Sequence, residues 1–239
     1  MTSACNRRFD ESYFDTYSCG GHYYDSPWKR AFRTRLVRRY LKGGRLLEIG
    51  CAYGYLLRAL EGQFKCEGID VSEHAIAAAK TVTNAELECG DVAQLLPGKP
   101  AASYDGVVAF DVLEHLPKQQ IPAILSDVAR ILRPGGMLLA SVPNTTCWSR
   151  VTKRAQWFGL RDPTHVSLLS PEQWLELFGT HLTVVGTGGD ALWDTPYLPV
   201  LPGRLQSLPF MATYLLAIAT TGRFPRRLSE NLLIAAAKP

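Results

Sequence analysis

The six cysteines (Cys5, Cys19, Cys51, Cys66, Cys89 and Cys147) include no Cys-x-x-Cys pair and no zinc-ligand spacing. Their spacing excludes the common structural zinc arrangements and the thioredoxin-type redox pair. Several fall within apolar stretches, where a thiol acts as a small hydrophobe, so a reducing cytoplasmic setting is expected. The first residues lack an apolar run; Asn6, Arg7, Arg8 and Asp10 stand there, and no secretory signal is expected. Internal repeats and long low-complexity tracts are absent. An excess of either sign is lacking, since 26 Lys+Arg against 22 Asp+Glu leave a formal net charge of only +4, which by itself names no partner. What the chain does have is length and apolar content: 239 residues at 46% hydrophobic suit one large α/β domain over 1–239 with a substantial core.

The most informative stretch is Leu46-Leu47-Glu48-Ile49-Gly50-Cys51-Ala52-Tyr53-Gly54. An apolar run ends in a carboxylate and a Gly-x-x-x-Gly turn, and a helical pattern follows near Tyr55. A buried parallel strand feeding such a turn opens a nucleotide-sized crevice at its carboxyl end. The dinucleotide fingerprint needs Gly-x-Gly-x-x-Gly. Here Ala52 holds the second glycine position and Tyr55 the third. Tyr55 blocks the close approach which that third glycine serves, so a pyrophosphate-bound nicotinamide cofactor is not expected.

Beyond this motif the pattern alternates. Strands are expected near 45–50, 65–70, 85–89, 105–110, 137–142, 182–187 and 231–237, and helices near 27–41, 53–61, 73–81, 117–132 and 171–179. Such alternation implies a parallel sheet covered on both faces. Asp70 follows Gly50 by 20 residues, close to where an acidic residue grips ribose hydroxyls.

In order along the chain, Glu48-x-Gly50-x-Ala52-x-Gly54, Gly68-Ile69-Asp70-Val71, Gly90-Asp91-Val92, Tyr104 to Asp111 and Arg133 to Ala140 resemble the motifs of the class I S-adenosylmethionine-dependent methyltransferases. The match spans about 40–145 and returns in the last strand, Asn231 to Lys238. Ala52 departs from the motif at its middle glycine. The resemblance implies a doubly wound, Rossmann-like sheet of seven strands in the order 3-2-1-4-5-7-6, the seventh antiparallel. It also implies S-adenosylmethionine as cofactor and S-adenosylhomocysteine as product. The cofactor would be held by Glu48, Gly50, Cys51, Ala52, Gly54, Val71 and Phe110, with Asp70 at the ribose and Asp91 and Val92 at the adenine.

Three segments stand outside the repeat. Residues 1–42 combine an aromatic stretch (Tyr13, Phe14, Tyr17, Tyr23, Tyr24), equally a lid or plain surface packing, with a basic helix from Pro27 to Leu41. That helix carries Lys29, Arg30, Arg33, Arg35, Arg38 and Arg39, with Lys42 just beyond, and its charges read first as a solvated face. Residues 143–170 follow the fifth strand, where substrate should lie, and hold Trp148, Arg150, Lys153, Arg154, Trp157, Phe158 and Arg161. Residues 190–229 hold Trp193, five prolines from Pro196 to Pro225, and an uncharged run from Leu205 to Gly222. That run reads as a buried or dimer-forming helix rather than a membrane contact.

A hydroxyl acceptor needs its proton drawn away. His115, just past the fourth strand, and His165, within Arg161-Asp162-Pro163-Thr164-His165, are the candidate bases, since imidazole titrates near neutral pH. Asp111-x-x-Glu114-His115 also resembles the divalent-cation site of ubiquinone-biosynthesis O-methyltransferases. The same carboxylates cap the next helix in metal-free relatives, and no metal is expected. The leading reading is methyl transfer to a small molecule, on a hydroxyl of a sugar, glycan or natural product. The alternatives are an RNA methyltransferase and a catalytically inactive cofactor-binding partner subunit. A small-molecule acceptor is the expected partner, nucleic acid and membrane are not, and monomer and homodimer stay open.

Overall fold

The computed structural model describes residues 9–17, 26–194 and 203–239, with backbone only over 203–210. Tyr23, Tyr24, Cys5, Cys19, Pro196, Pro199 and Pro202 lie outside the described residues. Seven strands, β1 (Gly44–Ile49), β2 (Phe64–Asp70), β3 (Glu86–Cys89), β4 (Tyr104–Phe110), β5 (Leu132–Pro143), β6 (Thr183–Gly189) and β7 (Asn231–Ala237), form one sheet in the order β3-β2-β1-β4-β5-β7-β6. β1 to β5 pair in parallel, and β7 runs antiparallel between β5 and β6. Order and direction are those expected from the motifs.

Alternating side chains along each strand feed two cores, because successive residues point to opposite faces. Leu47, Ile49, Val107 and Ala109 join a cluster with Ile124 and Val128 of α6 (Ile121–Ile131) and Trp174 and Phe178 of α9 (Pro171–Gly179). Leu46, Val108 and Phe110 join the opposite cluster. That cluster contains Phe32, Leu36 and Val37 of α2 (Pro27–Tyr40), Leu56, Leu57 and Leu60 of α3 (Tyr55–Leu60), and Ile76 of α4 (Glu73–Val82). Each fully buried side chain of this size contributes about 1.5–3 kcal/mol, so the two layers clamp the sheet and hold its carboxyl rim in register. The helices start where their caps dictate. Ser26 precedes Pro27, Ser72 accepts the Ala75 N–H at 3.2 Å, and Ser170 forms a capping box with Gln173 ahead of α9.

Several boundaries differ from expectation. The helix expected over 117–132 is α6, and Leu113–His115 forms a separate 3₁₀ turn. β5 begins at Leu132, which pairs with Tyr104 of β4, and Gly135 and Gly136 exchange backbone hydrogen bonds with Lys238 at 3.0 and 2.8 Å, so the expected turn is drawn onto the sheet. The uncharged run forms α10 (Gly203–Thr220). From residue 211 onward it buries Tyr214 and Ala217 but exposes Met211, Leu215 and Leu216, so it is half-buried, not buried all round. Among the described residues no helix is long and apolar enough to cross a membrane.

Candidate active site

The loops after β1, β2, β3 and β4 meet at a cavity of about 1140 Å³. The β1–α3 loop is fastened from below. The N–H groups of Gly50 and Cys51 both donate to the carbonyl of Ile69, at 2.7 and 3.1 Å. The Ala52 N–H donates to one carboxylate oxygen of Asp70 at 2.8 Å, and the Ser72 N–H to the other at 2.9 Å. Asp70 therefore braces the loop while its side chain lines the cavity. Gly50 has φ +70°, and a Cβ there would lie 2.2 Å from Val112 Cγ2. Ala52 has φ +44°, the left-handed region, which costs a non-glycine residue about 1–2 kcal/mol. The family's glycine at this position thus answers backbone conformation rather than bulk.

Glu48, Gly50, Cys51, Ala52, Asp70, Val71, Asp91, Val92 and Phe110 all line this cavity. Asp91 does so while capping the short helix α5 (Val92–Leu95), its carboxylate accepting the Ala93 N–H at 2.9 Å. Gly54 does not line it. With φ +74° it turns the chain into α3, and a Cβ there would meet Thr83 and Ala79 beside α4. Close packing against these neighbours is what the bare glycine allows here. Glu48 is buried, and its Oε2 has no hydrogen-bond partner among the described residues. Burial pushes its carboxyl up to about 8, with nearby Arg33 opposing and Asp70 adding to the rise. A buried carboxyl held mostly protonated, with one oxygen unpartnered, suits a ligand whose positive charge would draw that proton off and pair with the carboxylate.

His115 and His165 also line the cavity, ring centroids 4.7 Å apart. The Thr164 hydroxyl donates its proton to Asp162 at 2.5 Å, so toward His115 Nδ1, at 2.8 Å, it is an acceptor. His165 Nδ1 lies 2.9 Å from the Gly159 carbonyl, which can only accept. Both rings are therefore Nδ1–H tautomers when neutral, each with a lone pair on Nε2. Burial and the neighbouring His165 push His115 down to about 4. The second oxygen of Asp162 lies 3.8 Å from His165 Nε2 and accepts the Tyr13 hydroxyl at 3.0 Å. Tyr13 belongs to α1 (Glu11–Tyr17), whose Tyr13 and Phe14 line the cavity.

The basic helix departs from its expected solvated face. Arg35 and Arg38 are exposed, but Lys29 and Arg33 turn inward onto Asp111, Lys29 at 2.7 Å, and Ser141 donates to the same carboxylate at 2.6 Å. Despite burial, those two cations hold Asp111 well below the usual carboxylate range. Burial and the charge of Arg33 push Lys29 down to about 8. Asp111 is thereby withdrawn from the Asp111–Glu114–His115 cation set. The donors brought within 4.8 Å of one another are those of Glu114, His115 and His165. Nor do the tryptophans of the 143–170 segment face the cavity. Trp157 is buried, its Nε1 donating to Glu230 at 3.3 Å, and Trp148 lies exposed off the cavity wall. Phe158 lines it instead, 4.4 Å centroid to centroid from Trp193. One signal could have revealed the inward cations: Lys29, Arg33 and Val37 share an i, i+4 stripe beside Phe32 and Leu36.

The sequence pattern described as a methyltransferase domain matches residues 21–181. The chain belongs to this methyltransferase domain family. Membership and fold imply S-adenosylmethionine as the cofactor, and the lining residues above fit it. Among curated relatives, a probable S-adenosylmethionine-dependent methyltransferase of Mycolicibacterium smegmatis is 35% identical over 117 residues, covering 48% of this chain and 44% of that protein. A ubiquinone biosynthesis O-methyltransferase of Coxiella burnetii is 33% identical over 110 residues, covering 44% of this chain and 45% of that protein. The chain thus matches less than half the length of these relatives. A SAM-dependent methyltransferase structure from Archaeoglobus fulgidus superposes with TM-score 0.65 at 20% identity, covering 95% of this chain and 99% of that one. The [4+2]-cyclase SpnF superposes with TM-score 0.59 at 22% identity, covering 87% and 81%. At these identities the superpositions speak for the fold alone.

Proposed function

We propose that this protein transfers a methyl group from S-adenosylmethionine to an oxygen of a small-molecule acceptor, a hydroxyl of a sugar, glycan or natural product. The observation that carries the reading is the histidine pair, whose two Nδ1 atoms are engaged so that both Nε2 lone pairs remain. When bound, the cofactor supplies an activated methyl on a sulfonium. The protein's own tasks are alignment and management of one proton. Asp70 and Asp91 hold the sugar and base, and Glu48 meets the cofactor's positive charge. His165 takes the acceptor's hydroxyl proton on Nε2, and Asp162 at 3.8 Å steadies the imidazolium that forms. Lys29 and Arg33 neutralise Asp111, which keeps its charge from competing for the acceptor. The inward turn of Lys29 and Arg33 thins the basic face on which the RNA reading rests, though Arg35, Arg38 and Lys42 stay exposed. The named activity of the ubiquinone-pathway relative supports oxygen as the acceptor atom.

The test is a screen of catechols and sugar hydroxyls for release of S-adenosylhomocysteine, followed by His165→Ala on the acceptor found. Turnover should fall about 100-fold or more, as for loss of a general base, while S-adenosylhomocysteine affinity stays within about threefold. Intact turnover in the variant would place the base elsewhere. Protein that binds the cofactor but methylates only RNA would overturn the small-molecule reading.

A further inference from the structure

The regrouping of donors around Glu114 points beyond proton transfer. We propose that Glu114, His115 and His165 form a binding site for a divalent cation of borderline softness, represented by Zn²⁺, and that Asp111 takes no part in it. A donor atom of each lies within 4.8 Å of the others. Glu114 is buried, and its Oε2 has no hydrogen-bond partner among the described residues. Each histidine also has the outer contact that metal-ligating imidazoles make, with Nδ1–H given to an acceptor so that Nε2 is left for the cation. For His165 that acceptor is the Gly159 carbonyl, and for His115 it is Thr164, itself held by Asp162. Two nitrogens and one carboxylate select zinc-like ions over magnesium, which prefers oxygen ligands. Three protein ligands leave a position open to the cavity that the same residues line. Asp111 is spent on Lys29, Arg33 and Ser141.

The consequence rests on the reading of His165 as base. A cation on its Nε2 occupies the lone pair that would take the acceptor's proton, so zinc should inhibit and a chelator should restore turnover. Binding is tested separately from activity, by calorimetric titration of ZnCl₂ into the full chain, with cobalt(II) absorption reporting nitrogen ligation. The wild type should bind one ion with the cobalt spectrum of histidine coordination. His165→Ala, His115→Ala and Glu114→Gln should each weaken binding at least about tenfold, and Asp111→Asn less than tenfold. Retained S-adenosylhomocysteine affinity identifies the variants that are folded. If a His165→Ala protein fails that check, His165→Gln, which keeps a polar side chain there, carries the same expectation. Unchanged zinc affinity in the His165 variant, or a loss in Asp111→Asn as large as in Glu114→Gln, would overturn the site. Zinc bound at the site but raising turnover would uphold the site and overturn its inhibitory role, along with the base assignment.

Discussion

Gly50→Ala tests how tightly the cofactor loop is built. The substitution acts twice. It puts a Cβ on a residue with φ +70°, at about 1–2 kcal/mol. It also drives that carbon to 2.2 Å from Val112 Cγ2 and 3.3 Å from Cγ1, an overpacking worth about 1–3 kcal/mol. Together the loss should be about 2–5 kcal/mol by urea denaturation, from the shift of the midpoint at constant slope. The two parts are separable, because Val112→Ala removes the clashing methyls and leaves the backbone strain. In a double-mutant cycle the pair should couple favourably by about 1–3 kcal/mol, with about 1–2 kcal/mol of loss remaining from Gly50→Ala. Additive losses, or a Gly50→Ala protein as stable as wild type, would refute the packing argument at the loop.

Three further outcomes are expected. Asp70→Ala leaves the Ala52 and Ser72 N–H groups without their charged acceptor, at about 1.5–3 kcal/mol per bond. Calorimetry should show S-adenosylhomocysteine affinity falling more than tenfold, and unchanged affinity would remove Asp70 from the site. Glu67 is buried, which alone raises its pKa, but Arg45 and the Tyr104 hydroxyl (at 2.6 Å) hold it below the ordinary carboxylate value. A depressed folded-state pKa gives stability that is present above the unfolded value of about 4.3 and is lost as pH falls through the folded one. Urea midpoints from pH 7 to pH 3 should therefore drop less steeply for Glu67→Gln than for wild type, and equal slopes would contradict this. Treating the purified enzyme with a chelator should leave its turnover undiminished; loss of activity restored by magnesium would contradict the proton-transfer account.

The sheet was legible because its central strands are apolar runs bounded by turn residues, and Leu46 to Gly54 marks its central crevice by chemistry alone. Less legible were features that depend on partners far along the chain. Lys29 and Arg33 looked solvated because their partner Asp111 lies 82 and 78 residues away. Trp157 stood in the segment expected at the substrate, and its burial was not foreseen because its partner Glu230 is 73 residues distant. Gly54 matched the ligand motif, yet its lack of a Cβ serves Thr83 and Ala79 of the neighbouring helix and loop. The extension of β5 back to Leu132 was hidden behind Pro134-Gly135-Gly136, which reads locally as a turn and joins the sheet through Lys238 and, at Leu132, through Tyr104 of β4. His165 was visible as a candidate base, but its tautomer rests on the Gly159 carbonyl, which no side-chain pattern reveals.

A crystal structure grown with S-adenosylhomocysteine tests the central claim most directly. The nucleoside should fill the crevice above the Gly50 loop, its ribose at Asp70 and adenine at Asp91, with the sulfur facing the side of the cavity that holds His165. Density for the ligand at another place, or that crevice closed by side chains while the ligand stays in solution, would contradict the account.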